Sequence, residues 1–68
     1  MYSMLEQVVK QGNRQGNFLF DSKVHKGSII FLNENVVVIQ VIENTQSYDY
    51  ILHPNNVIIV RPHQDIKE

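Results

Sequence analysis

The chain is short, nearly neutral and free of cysteine. It has 68 residues, a formal net charge of −1 and 43% hydrophobic residues. This hydrophobic content predicts one small globular domain rather than a disordered chain. The lack of cysteine excludes a disulfide framework and a cysteine-based zinc site, and the charge gives no global attraction to nucleic acid or membranes. Small domains without such covalent or metal links often gain stability by forming oligomers.

Motifs for catalysis, metal binding and membrane insertion are missing from the sequence. His25, His53 and His63 are far apart and lack the local spacing of metal ligands. No serine or carboxylate pair lies in a motif typical of a nucleophile or an acid–base pair. No apolar run is long enough to span a bilayer, and no signal-peptide pattern is present. We therefore expect a cytoplasmic protein that is not an enzyme, contacts no membrane, and takes no cofactor, metal or small-molecule substrate.

The N-terminal segment has the pattern of an amphipathic helix over residues 3–11. Ser3 and Glu6 fit a capping box at its start, and Gly12 is a stop signal that a polar connector follows. The apolar residues at helical spacing are Met1, Leu5, Val8 and Val9. We expect this helix to cover the open end of a barrel.

Five antiparallel strands are predicted after the helix, because β-branched and aromatic runs alternate with short polar turns. Their expected bounds are about 17–21, 24–32, 36–43, 48–52 and 57–60. Gly27 lies inside the second strand, where a glycine often marks a bend that closes a small barrel. Residues 1–62 are expected to form a single domain, and residues 63–68 a polar tail.

The third and fifth strands are apolar on more than one side. Residues 36–42 are apolar on both faces, with Gln40 as the exception, and residues 57–60 do not alternate. A strand that is apolar on both faces is covered on both faces. This indicates strong sheet bending, a neighbouring subunit, or both. A closed ring in which each subunit pairs its edge with the next would leave no edge exposed.

Two segments carry a resemblance to a known family. Gly27–Ile39 (GSIIFLNENVVVI) resembles the first signature of the Sm-like family of Lsm and Hfq-like proteins, with Asn33 at the acidic position. His53–Pro62 (HPNNVIIVRP) is similar to the second signature, with His53-Pro54 in place of Arg-Gly. The preceding helix and first strand match in order. The resemblance covers roughly residues 3–62.

This resemblance implies a fold, an assembly and a ligand. The fold is mostly β: an N-terminal helix followed by a strongly bent, five-stranded antiparallel small barrel of the SH3-like class. The assembly is a ring of five to seven identical subunits, in which strand four pairs with strand five of the next. The ligand is single-stranded RNA, bound around the central opening by residues of two turns. The matching positions here are Asn33, Asn35, His53, Asn55 and Asn56.

The residues themselves leave alternatives open for these sites. Histidine can stack on bases and asparagine can read base edges, but asparagine is also an ordinary turn residue and histidine an ordinary solvated one. A second candidate is a basic face, which would attract phosphate. It comprises Lys10, Arg14, Lys23 and Lys26, with His25 in the same stretch. The alternative interpretation of this face is a solvated surface that balances the acidic residues.

Two functions therefore remain. The first is an Sm-like ring that binds single-stranded RNA, as an RNA chaperone or RNA-metabolism factor. The second is an SH3-like small barrel that acts as a protein-interaction or structural scaffold subunit without RNA binding. The subunit number separates them in part, because only the first predicts five to seven copies.

Overall fold

A computed structural model describes residues 2–60 of the chain, so the predicted tail at 63–68 lies outside the described residues. The polypeptide forms one helix and then five strands. Their bounds are α1 Tyr2–Lys10, β1 Gln15–Phe20, β2 Lys23–Leu32, β3 Val37–Glu43, β4 Gln46–Leu52 and β5 Ile58–Val60. A 3₁₀ turn at Pro54–Asn56, which the sequence patterns do not indicate, connects β4 to β5.

The five strands form a single antiparallel sheet in the order β4-β3-β2-β1-β5. The predicted helix and five-stranded antiparallel sheet are confirmed. The predicted barrel is wrong for the described chain, because the sheet does not close: β4 and β5 are its two edges and do not pair with each other. A β-strand edge that lacks a neighbour leaves backbone donors and acceptors without a strand partner.

The helix ends where Gly12 predicts, but it begins one residue earlier than predicted. It starts at Tyr2, so Ser3 lies inside it rather than at the predicted capping position. Gly12, two residues after its end, has φ +80°, and the Asn13 N–H donates to the Val8 carbonyl at 2.8 Å. This left-handed glycine with a backward hydrogen bond is a common helix ending, as predicted. Within residues 2–60 no helix has the length and apolar character needed to cross a membrane.

The core lies on one face of the sheet, under the helix. Phe18 and Phe20 of β1 point into it together, as their alternation predicts, while Leu19 points away. The fully or almost fully buried apolar side chains are Leu5, Phe18, Phe20, Ile29, Val37, Ile39, Val41 and Val57. They come from the helix, from three strands and from the residue before β5, and so join the helix to the sheet.

Glycine is required at position 27 because a side chain would not fit there, and not because the backbone adopts an unusual conformation. A Cβ atom at this position would lie 2.5 Å from the Gln40 carbonyl oxygen and 3.1 Å from methyl groups of Ile39 and Val41. The backbones of β2 and β3 therefore approach each other where a side chain cannot fit. The pairing register of the same two strands shifts between Ile29 and Phe31. Such irregularities bend a strand and increase its twist.

Among residues 2–60, no helix or strand covers the outer face of the sheet, which points away from the core. On β3, Val37, Ile39 and Val41 are buried, but Ile42 on the opposite face is 68% exposed. Other exposed apolar side chains on the outer face are Val24, Ile30, Phe31, Ile51 and Ile58. The sequence of β3 predicts that both of its apolar faces are covered, and residues 2–60 bury one of them.

His25 lies in the core and not on the predicted basic face. Its ring stacks on Phe20 with centroids 3.9 Å apart, and Tyr50 packs beside both rings. Both ring nitrogens are buried and have no hydrogen-bond partner among the described residues. The side chain points inward because His25 pairs with Phe18, whose side chain is also on the core side. It cannot contribute to a basic surface.

Two hairpin turns hold non-glycine residues at positive φ. They are Asp21-Ser22, between β1 and β2, and Asn44-Thr45, between β3 and β4. A two-residue hairpin turn of this kind prefers glycine at its second position. Thr45, with φ +65°, is β-branched and therefore strained there.

Replacing Thr45 by glycine is expected to stabilise the protein by about 1 kcal/mol, because it removes this strain. For a domain of this size the midpoint of thermal unfolding should rise by about 4–8 °C. Circular dichroism during heating measures the change. Ser47→Gly, in the adjacent strand β4, is the matched control and should lower the midpoint, since glycine weakens a strand interior. A lower midpoint for Thr45→Gly would show that the turn is not strained.

Candidate nucleic-acid interface

The two predicted RNA-binding turns lie at the same end of the sheet. Leu32, Val37 and Leu52 are successive register partners across β2, β3 and β4. The turn at 33–36 follows Leu32, and the loop that starts at His53 follows Leu52. The register of the sheet therefore brings these two segments together, although about 20 positions separate them in the chain. We call them the loop cluster; it contains Asn33, Asn35, His53, Asn55 and Asn56.

Asn33 shapes its own turn. The backbone N–H groups of Asn35 and Val36 donate to Asn33 Oδ1 at 2.8 and 2.7 Å. The Asn33 N–H donates in turn to the Val36 carbonyl at 2.8 Å. The side-chain oxygen thus has its partners within the turn, and its NH₂ group is the part that could donate to a ligand. The side chain of Asn35 is exposed beside it.

His53 caps the 3₁₀ turn. Its Nδ1 accepts from the Asn55 N–H at 3.0 Å, which assigns the proton of the neutral ring to Nε2. The ring remains exposed, so its face and Nε2–H are accessible. Asn55 and Asn56 are exposed as well, while Pro54 beside them is buried. The loop cluster therefore presents exposed amide groups and one exposed imidazole, with the buried Pro54 next to them.

The predicted basic face is divided by the fold. Lys10 and Arg14 lie at the end of α1 and in the connector, and both line one groove. Lys26 lies on the outer face, in a shallow depression that Gln15, Gln40 and Ile42 also line. Lys23 begins β2 beside the Asp21-Ser22 turn. The structure brings Lys10 and Arg14 together and separates them from the other two.

The groove between α1 and β2 combines cations with an aromatic ring. We call it the helix–strand groove; its volume is about 380 Å³, and it is lined by Tyr2, Glu6, Val9, Lys10, Arg14, Ile30, Phe31 and Leu32. Phe31 is 51% exposed. Arg14 is held over β2, because its Nη1 donates to the Ile29 carbonyl at 3.3 Å and its own carbonyl accepts from the Ile29 N–H at 2.9 Å. A guanidinium and an aromatic ring that line the same groove can each stack on a flat ligand.

Electrostatic interactions connect this groove to the loop cluster. Tyr2 donates to Glu6 Oε2 at 3.1 Å, and Lys10 Nζ lies 3.9 Å from the same oxygen. The hydrogen bond to Glu6, together with the negative charges of Glu6 and Glu34, raises the pKa of Tyr2. Leu32 lines the groove and the turn of the loop cluster begins at the next residue, so the two surfaces are neighbours. The Lys10 ammonium is largely exposed and its ion pair is loose, which leaves it available to a phosphate.

Phe31 and Tyr2 are candidate binding residues that the sequence patterns do not indicate. In the sequence, Phe31 lies among apolar strand residues, and no motif marks it as exposed. The irregularity between Ile29 and Phe31 places two consecutive residues, Ile30 and Phe31, on the exposed side. A signal is present in the sequence, since the run IIFL at 29–32 breaks the alternation of a half-buried strand.

Comparison with known proteins adds no relative: no protein-family model matches the chain, and neither does any curated protein or solved structure.

Proposed function

We propose that the protein is an Sm-like ring subunit that binds single-stranded RNA. The helix–strand groove carries this proposal, since it places the exposed ring of Phe31 beside the anchored guanidinium of Arg14 and the ammonium of Lys10. Single-stranded RNA is bound by stacking of bases on aromatic and arginine planes, with cations on the phosphates. The adjacent loop cluster supplies amide and imidazole groups for base edges. In a ring, each of these weak contacts is repeated in every subunit.

Assembly through the sheet edges is the second part of this proposal. In the described chain β4 and β5 are the strands without a second neighbour, and the outer face exposes several isoleucine side chains. Pairing of β4 with β5 of the next copy would satisfy both edges and continue the sheet from subunit to subunit. A contact between two different surfaces repeats head to tail and can close into a ring. Five to seven copies are proposed.

RNA binding is tested with the Phe31→Ala variant. Fluorescence anisotropy with labelled oligo-U and oligo-A, at two salt concentrations, measures the affinity. Loss of one stacked base costs about 1–3 kcal/mol, which corresponds to binding about 5- to 150-fold weaker. The affinity of the unchanged protein should fall as salt rises, because Lys10 and Arg14 displace counterions from the phosphates.

Ile42→Ala is the matched control for this experiment. Ile42 is also an exposed apolar residue on the outer face, but it lies outside the groove. Its removal should leave RNA affinity unchanged. Equal affinities for Phe31→Ala and the unchanged protein would remove the groove from the binding surface. No measurable affinity at low salt would reject the RNA proposal altogether.

The exposed apolar side chains also support a second function, that of a scaffold subunit that contacts proteins and binds no RNA. Apolar patches of this kind are typical of protein interfaces. Size-exclusion chromatography with light scattering separates the two functions in part. Five to seven copies favour the ring, and a monomer or dimer favours the scaffold.

A further inference from the structure

Three aromatic rings from three different strands meet at one place in the core. They belong to Phe20 of β1, His25 of β2 and Tyr50 of β4, and we call them the aromatic cluster. The ring planes of Phe20 and His25 are 9° apart, and the Tyr50 centroid lies 5.1 Å from that of Phe20 and 5.4 Å from that of His25. The aromatic cluster therefore joins β4 to the hairpin of β1 and β2.

The aromatic cluster crosses a gap that strand pairing does not close. In the order β4-β3-β2-β1-β5, β4 lies three strands away from β1. In a flat sheet this separation would be about 14 Å, at about 4.8 Å per strand. The contact between Tyr50 and Phe20 shows that the sheet curls until its edge strand reaches back to the hairpin. Among residues 2–60, side chains rather than strand pairing hold β4 there.

His25 is the member of the aromatic cluster whose polar atoms are buried without partners. The residue is 7% exposed, and neither Nδ1 nor Nε2 has a hydrogen-bond partner within residues 2–60. Even a neutral imidazole costs stability in such a place, because its donor and its acceptor have both left water. A protonated imidazole has two N–H donors and a charge, so its burial without partners costs much more.

The ionisable groups of the surrounding strands do not offset a positive charge on His25. β1 carries no ionisable side chain. Lys23 of β2 shares the face of His25 and is itself positive. On β4, Tyr48 places a phenol on the core side, whereas the Asp49 carboxylate is on the outer face. Glu43 of β3 is on the core side beyond the last pair of β2 with β3, but it is exposed and makes no hydrogen bond to His25.

We propose that His25 makes the fold sensitive to acid: the neutral ring holds β4 against the β1–β2 hairpin, and protonation of the ring releases it. The attraction of a cation to aromatic faces is smaller than the cost of burying an unpaired charge. In the unfolded chain water surrounds the ring, so the unfolded chain takes up the proton and the folded chain resists it. Stability therefore falls as the pH falls. This property does not depend on RNA binding.

Urea unfolding at pH 7.5 and pH 5.5, at one protein concentration and without RNA, tests the proposal. Histidine in an unfolded chain titrates near pH 6.5 and carboxylates titrate lower, so a folded ring that stays neutral predicts an unfolding equilibrium constant about tenfold larger at pH 5.5. Stability of the unchanged protein that stays level or rises in acid would overturn the proposal, because the folded ring would then tolerate its charge.

Two variants at position 25 assign the effect. His25→Phe keeps a ring for stacking but cannot take up a proton, and His25→Leu is the alternative if the phenyl ring is too large for the site. Both should lose the tenfold change between the two pH values. Both should also resist urea better than the unchanged protein at pH 5.5, since no buried nitrogen is left without a partner. Persistence of the tenfold change in either folded variant would contradict the role of His25.

The other two histidines provide the matched control. Nδ1 of His53 accepts from the Asn55 N–H, so protonation of His53 would remove a cap and is a competing source of acid sensitivity. His53→Asn keeps an oxygen acceptor at this position, and His63→Asn removes the histidine outside the described residues. The double variant should retain the tenfold change, which then belongs to His25 even if neither variant at position 25 folds. Loss of the change would assign the acid sensitivity to His53 or His63 and reject the proposal.

Discussion

The Gly27→Ala variant is expected to lose about 3 kcal/mol or more of its free energy of unfolding, at the upper end of the cost of overpacking a core. The added methyl group would lie 2.5 Å from the Gln40 carbonyl oxygen, and that atom belongs to the backbone of a paired strand. Relief therefore requires β2 and β3 to separate. A chain of this length has a total stability of about 5 kcal/mol, so about 2 kcal/mol would remain and a few per cent of the molecules would be unfolded without denaturant.

Gly16→Ala is the matched control for this variant. Gly16 also lies in a strand, and a methyl group added there would meet a ring carbon of Phe18 at 4.0 Å, an ordinary contact. Urea unfolding followed by circular dichroism compares the two variants. If Gly27→Ala unfolded at the same urea concentration as Gly16→Ala, the close approach of β2 and β3 would be wrong.

The Leu5→Ala variant should lose about 3 kcal/mol, within the range for a buried leucine. Leu5 is the fully buried residue of α1, and it belongs to the same buried apolar cluster as Val57, against which Ile59 packs. A helix of nine residues has little stability in isolation, so it depends on this contact. Its loss should also weaken RNA binding, because α1 forms one wall of the helix–strand groove.

Met4→Ala provides the comparison, since Met4 precedes Leu5 but is 44% exposed. Its unfolding free energy should change much less. Thermal unfolding measures stability, and anisotropy below the unfolding midpoint measures RNA affinity. A Leu5→Ala protein as stable as Met4→Ala would mean that the helix does not anchor to the sheet through Leu5.

Local patterns are enough to predict most elements of this fold. Alternation in β1 correctly assigns Phe18 and Phe20 to the core, and Gly12 marks the helix end, because each signal acts within a few residues. The same patterns wrongly place Ser3 at the N-cap, because the energy differences between alternative N-cap residues are small. They do not indicate the 3₁₀ turn, because this turn packs against α1, which is a long-range contact.

The candidate site depends more strongly on distant pairings. The resemblance predicts the loop cluster, and the register of Leu32, Val37 and Leu52 does bring its two turns together. The basic residues, in contrast, cannot be grouped from their order in the chain. Lys10 and Arg14 line the same groove because two hydrogen bonds hold Arg14, which follows α1, against Ile29 of β2. The proposed binding of bases also needs an exposed aromatic ring. The irregular pairing of β2 with β3 exposes the ring of Phe31.

The sequence by itself determined a small, cysteine-free domain with one helix and five strands, of which β3 is apolar on both faces. These properties follow from composition and from periods of two and about four residues, which each segment carries alone. Only the tertiary structure decided that the sheet stays open, that His25 is buried, and that the exposed isoleucines stand at opposite edges. Strand order and register decide these features, because they set which distant residues become neighbours.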